Sequence, residues 1–286
     1  MIRLAIRCRA ENAELALAQL IELAPTGIEE IRDGDIVEYA VYGPPGEVPT
    51  LPDLQVAVGD DLVEVRTTEV ADDWQERWKD FHGSMLITPS AGAAEPTIFL
   101  RPSWDSAEPA AGSTEIVLDP GQAFGTGSHP TTRLCLRLLL DIVAEGKGDG
   151  ELIDLGCGSG VLAIAAGKLG WGPLRAYDFD HLAVSATVEN ARENGVVLEA
   201  FQSDVRAPEG DGIPALAPTV FANIMRPQLL DVARQIPADH GMREVVLSGL
   251  LDEEADEISS AFAAHGLAET GRISEGGWTG LRLSAR

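Results

Sequence analysis

The chain has 286 residues, of which 45% are hydrophobic and 23% charged, with 30 Gly and 17 Pro. At roughly 100–200 residues per domain this length predicts two domains, or one large domain with an appendage, and the composition excludes collagen-like, coiled-coil and wholly disordered chains. Lys and Arg number 21 against 46 Asp and Glu, a formal charge of −25. Direct nucleic-acid binding is not expected from such a chain, because phosphate recognition relies on clustered Lys and Arg. The same field would draw in a basic protein, or it serves general solubility or salt adaptation.

Cys8, Cys135 and Cys157 are odd in number and form no CxxC pair, so neither a disulfide framework nor a zinc site is expected and a reducing cytoplasm fits best. The first residues, interrupted by Arg7 and Arg9, lack the apolar run of a signal peptide. No stretch of about 20 uncharged apolar residues predicts a membrane span.

In chain order, residues 2–9 alternate as a strand, and Leu15, Leu17, Leu20 and Leu23 place a helical stripe on residues 11–23. Strands are expected at Ile28–Ile31 and Asp35–Val41 about an Asp33-Gly34 turn, then at Leu54–Val58 and Leu62–Val70 beyond a Pro/Gly stretch. Residues 1–70 thus read as a small α+β domain. Trp74, Trp78 and Phe81 recur at i, i+4 and i+7, which makes 71–83 a helical linker whose aromatics pack rather than bind.

From residue 84 to 286, apolar runs bounded by Gly and Asp alternate with helical stretches, the pattern of βαβ units around a parallel sheet. Strands are expected at 151–155, 174–179, 197–203, 219–224 and 244–250, with helices at about 160–169, 182–194, 227–236 and 252–265. A closing antiparallel hairpin is expected from Leu267–Ser274 and Trp278–Ser284 about Gly276-Gly277.

The strongest chemical signal is Leu152-Ile153-Asp154-Leu155-Gly156-Cys157-Gly158-Ser159-Gly160 followed by an apolar helix. A strand, a glycine-rich turn and a helix make a nucleotide-binding corner, since Gly lets the backbone turn tightly and approach a ligand. A dinucleotide fingerprint needs G-x-G-x-x-G, but Val161 occupies the sixth position. Asp154 at the mouth of the loop would repel a pyrophosphate and would suit the cationic amino and sulfonium end of S-adenosylmethionine. Asp178, 22 residues past Gly156 at the end of the second strand, is placed to accept from both ribose hydroxyls. Asp180 caps the next helix or points away.

Asp204, after the third strand, would accept from the adenine amino group or serve as a turn residue. Asn223, ending the fourth strand, offers a carbonyl that can hold an incoming amine with its lone pair facing the methyl group. Residues 118–132, Leu-Asp-Pro-Gly-Gln-Ala-Phe-Gly-Thr-Gly-Ser-His-Pro-Thr-Thr, precede a helix that Pro130 can open. This loop would fold over the methionine end, with Phe124 covering the cofactor and Thr132 hydrogen-bonding it. His129 orders the loop beside Pro130 in preference to acting as a base. No G-x-S-x-G elbow supports a hydrolase.

Taken together, the segments Leu118–Thr132, Ile153–Gly160, Tyr177–Asp180, Ala222–Ile224 and Leu247–Leu251 resemble the PrmA-type methyltransferases that modify ribosomal protein L11. The resemblance implies a Rossmann-like class I methyltransferase sheet with a small α+β amino-terminal domain for substrate recognition. It implies S-adenosylmethionine as cofactor, contacted at Thr132, Gly156, Asp178 and Asn223, to which the reading of the residues themselves adds Asp154, Gly158, Asp204 and Phe124. The implied activity methylates lysine and amino-terminal amines of a basic ribosomal protein; apart from the resemblance, a cytoplasmic monomer is expected. The chain departs from the family's usual Leu-Ala-Gly-Pro with Met225-Arg226-Pro227-Gln228, and has His181 where Pro is frequent. Methylation of a small amine, a non-catalytic ribosome-associated module and a nicotinamide oxidoreductase are the competing readings.

Overall fold

A computed structural model describes residues 2–9, 13, 28–43, 62–69, 83–90, 92, 95–119, 125, 127, 129–205 and 216–285. The chain divides into two compact units, Met1–Phe81 and His82–Arg286.

In the first unit, β1 (Ile2–Arg9), β2 (Ile28–Asp33), β3 (Ile36–Gly43) and β4 (Leu62–Glu69) form an antiparallel sheet in the order β2-β3-β1-β4. The β2–β3 hairpin turns at Gly34, whose φ of 60° is the left-handed conformation such a two-residue connection requires. Ile6, Cys8, Val37 and Tyr39 are buried within it. The helix expected over 11–23, except for buried and helical Ala13, the strand at 54–58 and the Trp-bearing helix lie outside the described residues.

The second unit is built on seven strands: β8 (Leu152–Leu155), β9 (Leu174–Asp178), β10 (Glu199–Gln202), β11 (Thr219–Asn223), β12 (Glu244–Leu251), β13 (Leu267–Glu275) and β14 (Trp278–Ala285). Their order is β10-β9-β8-β11-β12-β14-β13, parallel from β10 to β12 and antiparallel at β14 and β13. Its helices are α1 (Pro130–Ala144), α2 (Val161–Lys168), α3 (His181–Glu193), α4 (Arg226–Gln235) and α5 (Ala255–Ala263), the last preceded by a 3-10 turn at Asp252–Glu254. The sheet is covered on both faces, as parallel strands demand. Leu152, Leu174, Phe221 and Val246 share one apolar layer with α1 and α2, whereas Ile153, Leu155, Tyr177, Val220, Ala222, Val245 and Leu247 face α4 and α5.

One element is absent from the sequence expectations. β5 (Met85–Ile87), β6 (Ile98–Arg101) and β7 (Thr114–Val117) make a separate three-stranded sheet, antiparallel between β5 and β6 and parallel between β6 and β7. It is tied to α3 by Asn194, whose side chain accepts from Val117 N at 2.9 Å and donates to Val117 O at 2.7 Å, so an amide stands in for a neighbouring strand. Among the described residues no helix is long and apolar enough to cross a membrane.

Candidate active site

The strand order reverses between β8 and β11: from β8 the chain moves to β9 on one side, and β11 lies on the other. In open α/β sheets ligands bind outside the carboxyl ends of the strands at such a switch point. Alternation along the strands then fixes which side chains meet there. Asp154 is two residues from Leu152, Asp178 four from Leu174, Asn223 two from Phe221 and Ser248 two from Val246, so all four project into the layer shared with α1. Asp154 lies opposite Ala176 and Phe221 in the ladder, and Asn223 opposite Ser248.

The turn after β8 is left-handed at Gly156, Gly158 and Gly160, with φ of 73°, 53° and 80°. The amides of Gly156 and Cys157 both donate to Tyr177 O, at 2.8 and 3.0 Å, which pins the turn to the end of β9. Behind it, Thr187 on α3 donates to Gly158 O at 2.9 Å and Asn190 donates to Ser159 O at 2.8 Å. A Cβ at Gly160 would lie 2.9 Å from Thr187 Cγ2, so the third glycine is demanded by helix packing.

Asp178 accepts from Gly158 N at 2.9 Å and from Asp180 N at 3.0 Å. Burial raises its pKa against the lowering pull of these amides. Asp180 caps α3, accepting from Leu182 N at 2.9 Å. Asp204 stands two residues beyond the edge strand β10, half-buried.

Asp154 is fully buried rather than exposed at the loop mouth, because strand alternation turns it beneath α1 and α2. Among the described residues neither of its oxygens has a partner in hydrogen-bonding geometry. Burial pushes its pKa up to about 7, the Ala163 N–H opposing the rise without reaching bonding geometry and the charge of Asp178 adding to it. Burial likewise raises the neighbouring thiols of Cys135 and Cys157, and both are free thiols.

The second glycine-rich segment approaches the first. Ser159 Oγ donates to Gly125 O at 2.8 Å, which sets Gly125 against the β8 turn. Gly127 has φ of 89°, and a Cβ there would lie 2.0 Å from Leu100 Cδ2 on β6. Phe124 lies outside the described residues. His129 is the N-cap of α1: Thr131 N donates to its Nδ1 at 3.3 Å, its ring meets Trp278 edge to face at 5.1 Å, and Pro130 opens the helix. Thr132, in that first turn, is fully buried and its hydroxyl has no partner among the described residues.

Among the described residues three side chains at this edge, Asp154, Thr132 and Asn223, therefore hold buried oxygens with no partner, an arrangement costly unless a donor arrives. This acceptor-rich set fits a ligand with cationic and N–H-rich parts and disfavours a pyrophosphate. Sequence reasoning missed Ser248 and Ile224, which also stand at this edge. Ser248 Oγ donates to Thr279 O at 2.9 Å, and Thr279 Oγ1 donates to Asp252 Oδ1 at 2.6 Å, so the closing hairpin fastens the end of β12.

A seven-stranded sheet with its penultimate-position strand reversed, a glycine turn after the first parallel strand and an acid ending the second define a Rossmann-like class I methyltransferase. The ribosomal protein L11 methyltransferase family (PrmA) matches residues 51–286, and the chain belongs to that family. The ribosomal protein L11 methyltransferase of Methylobacillus flagellatus is 34% identical over 279 residues, covering 91% of each chain. That of Syntrophotalea carbinolica is 35% identical over 223 residues, covering 77% of this chain and 67% of its own. The crystal structure of ribosomal protein L11 methylase from Lactobacillus delbrueckii subsp. bulgaricus superposes with a TM-score of 0.56 at 30% identity, over 66% of this chain and 95% of that one.

Proposed function

We propose that this protein transfers methyl groups from S-adenosylmethionine to lysine or amino-terminal amines of ribosomal protein L11. The observation that carries the chemistry is the set of unpartnered buried oxygens on Asp154, Thr132 and Asn223 at the switch point of the sheet. Family membership supports the acceptor protein.

When bound, the cofactor supplies an electrophilic methyl on a sulfonium. Asp154 and Thr132 would hold its cationic methionine end, Gly156 and Gly158 would leave room for it at the turn, Asp178 would accept from the ribose and Asp204 from the adenine amine, and Phe124, outside the described residues, would be its cover. Asn223 acts on the acceptor. Its Oδ1 takes an N–H of the amine and aims the nitrogen lone pair at the methyl, which converts binding into orientation.

The acceptor must first be neutral. Taking a lysine of pKa about 10.4 to its free base at pH 7 costs about 4.6 kcal/mol, and an α-amine near 8 only about 1.4 kcal/mol. Closure that strips water from the amine, together with the nearby sulfonium, favours the neutral form. The Asn223 carbonyl is a neutral acceptor and does not hold the proton as a second carboxylate would. The proton leaves to solvent before closure, so no strong general base is needed.

Residues 1–70 recognise the basic protein substrate, and the chain works as a monomer in the cytoplasm. The test is incubation with isotopically labelled S-adenosylmethionine and purified ribosomal proteins, followed by mass spectrometric location of the label. Label on amines of ribosomal protein L11 is the expected result. Transfer only to small amines, or none at all, would overturn the reading.

A further inference from the structure

Ile224, the residue after Asn223, is held between two glycines. A Cβ built on Gly156 would lie 2.2 Å from Ile224 Cγ2, and one built on Gly249 would lie 2.4 Å from Ile224 O, 2.7 Å from its C and 3.1 Å from its N. Both glycines are left-handed, with φ of 73° and 81°, and the ladder between β12 and β14 shifts register between Leu247 and Leu250, around Gly249. The turn after β8, the end of β11 and the irregularity in β12 therefore converge on Ile224. Its own side chain packs with the apolar layer on the α4 and α5 face, opposite to the face onto which Asn223 projects.

We propose that Ile224 is a positioning residue: its β-branched Cγ2 methyl is the spacer that sets the height of the Asn223 amide above the glycine turn. The inference rests on the role given to Asn223 above. Close-packed interiors transmit displacement because little slack exists to absorb it, and here neither glycine has a side chain that could repack. A change in the spacer reaches Asn223 through a single peptide unit, while the turn stays pinned by Tyr177 O and the side chain of Asp178. Acceptor geometry shifts and the cofactor contacts on β9 do not.

The choice of spacer gives a test that separates positioning from packing. Ile224→Val loses a methyl yet keeps Cγ2; Ile224→Leu keeps the volume and loses Cγ2. Packing alone ranks the Leu variant nearer to wild type, and the spacer ranks the Val variant nearer. Full-length proteins would be compared by steady-state methyl transfer to ribosomal protein L11, by calorimetric S-adenosylmethionine binding and by thermal unfolding, with Asn223→Ala alongside. We expect kcat within about twofold of wild type for Ile224→Val. For Ile224→Leu we expect a loss of about 10- to 100-fold in kcat, of the size a misplacement near 1 Å produces, with acceptor KM and cofactor affinity within about threefold. Equal kcat in both variants, the reverse ranking, or a parallel loss of cofactor affinity overturns the proposal. Should the Leu variant fail to fold, Ile224→Thr carries the test, since it keeps Cγ2 and must retain kcat within about threefold. A wild-type protein that transfers no methyl, or an Asn223→Ala variant with full kcat, would instead overturn the proposed function.

Discussion

Among the described residues Asp154 is the carboxyl whose environment departs furthest from the ordinary. Free in water an aspartate titrates near 4; here burial brings it to about 7. The groups facing it are Asp178 at the end of β9, Cys135 from α1 and Cys157 in the turn, the two thiols being raised by burial and so neutral. A cation set beside this carboxyl favours the ionised form and lowers its pKa, so, with Asp154 in its proposed role, uptake of S-adenosylmethionine is expected to release a proton when the pH is near or below 7. Affinity therefore rises with pH. We expect the cofactor Kd to fall about tenfold from pH 6 to pH 8 and then level off, with a binding enthalpy that depends on the buffer's own ionisation. Asp154→Asn should weaken binding and flatten the profile. A wild-type Kd independent of pH would show that the carboxyl does not face the cationic end. The sign for folding is opposite: a folded-state pKa above the unfolded value means that the native state binds the extra proton between pH 4 and 7, so stability falls as pH rises through that window.

Among the elements, β14 is the one that holds the site from outside it. At its middle Arg282 is buried, donating to Glu244 Oε2 on β12 at 2.9 Å and to both oxygens of Glu145, the C-cap of α1, at 2.6 and 2.8 Å. Near its start, Thr279 O accepts from Ser248 and Trp278 meets His129. One strand thus grips β12 at two levels and both ends of α1. Removing one partner of a buried pair leaves a charge uncompensated, so Arg282→Met should cost about 3–5 kcal/mol, read by denaturant unfolding. The double variant with Glu244→Gln should recover part of the loss. An Arg282→Met midpoint equal to wild type would show that the ions are solvated in solution.

The hairpin of β13 and β14 was legible in the sequence from two strand-like runs around Gly276-Gly277, and the parallel strands from apolar runs ending at Asp154, Asp178 and Asn223. The sheet of β5, β6 and β7 was not. Its strands have three or four residues, too few to show alternation, and a distant asparagine fixes their edge. The site divides similarly. Polar residues at strand ends announce themselves, whereas the place of Ile224 depends on Cβ atoms missing from Gly156 and Gly249, each of which reads alone as an ordinary turn glycine.

At the scale of the whole molecule the dominant fact is charge. A net −25 produces a potential that acts on a partner before any contact forms, raising the encounter rate with a basic protein. It acts against catalysis inside the pocket, because a negative field favours the charged amine; in the role proposed for Asn223 a neutral carbonyl, and not an added carboxylate, would face the acceptor nitrogen. Encounter and chemistry should therefore separate under salt. Exposed charges are screened over about 10 Å at 0.1 M ionic strength and about 3 Å at 1 M, whereas interactions within a closed pocket are screened far less. With ribosomal protein L11 as acceptor, KM should rise at least about tenfold between 0.05 and 0.5 M potassium chloride, with kcat changed by less than about twofold. An uncharged short peptide carrying one acceptor amine should show no such rise. A KM for the protein that ignores salt would mean that recognition is made by apolar contacts, and that the acidity of this chain serves solubility alone.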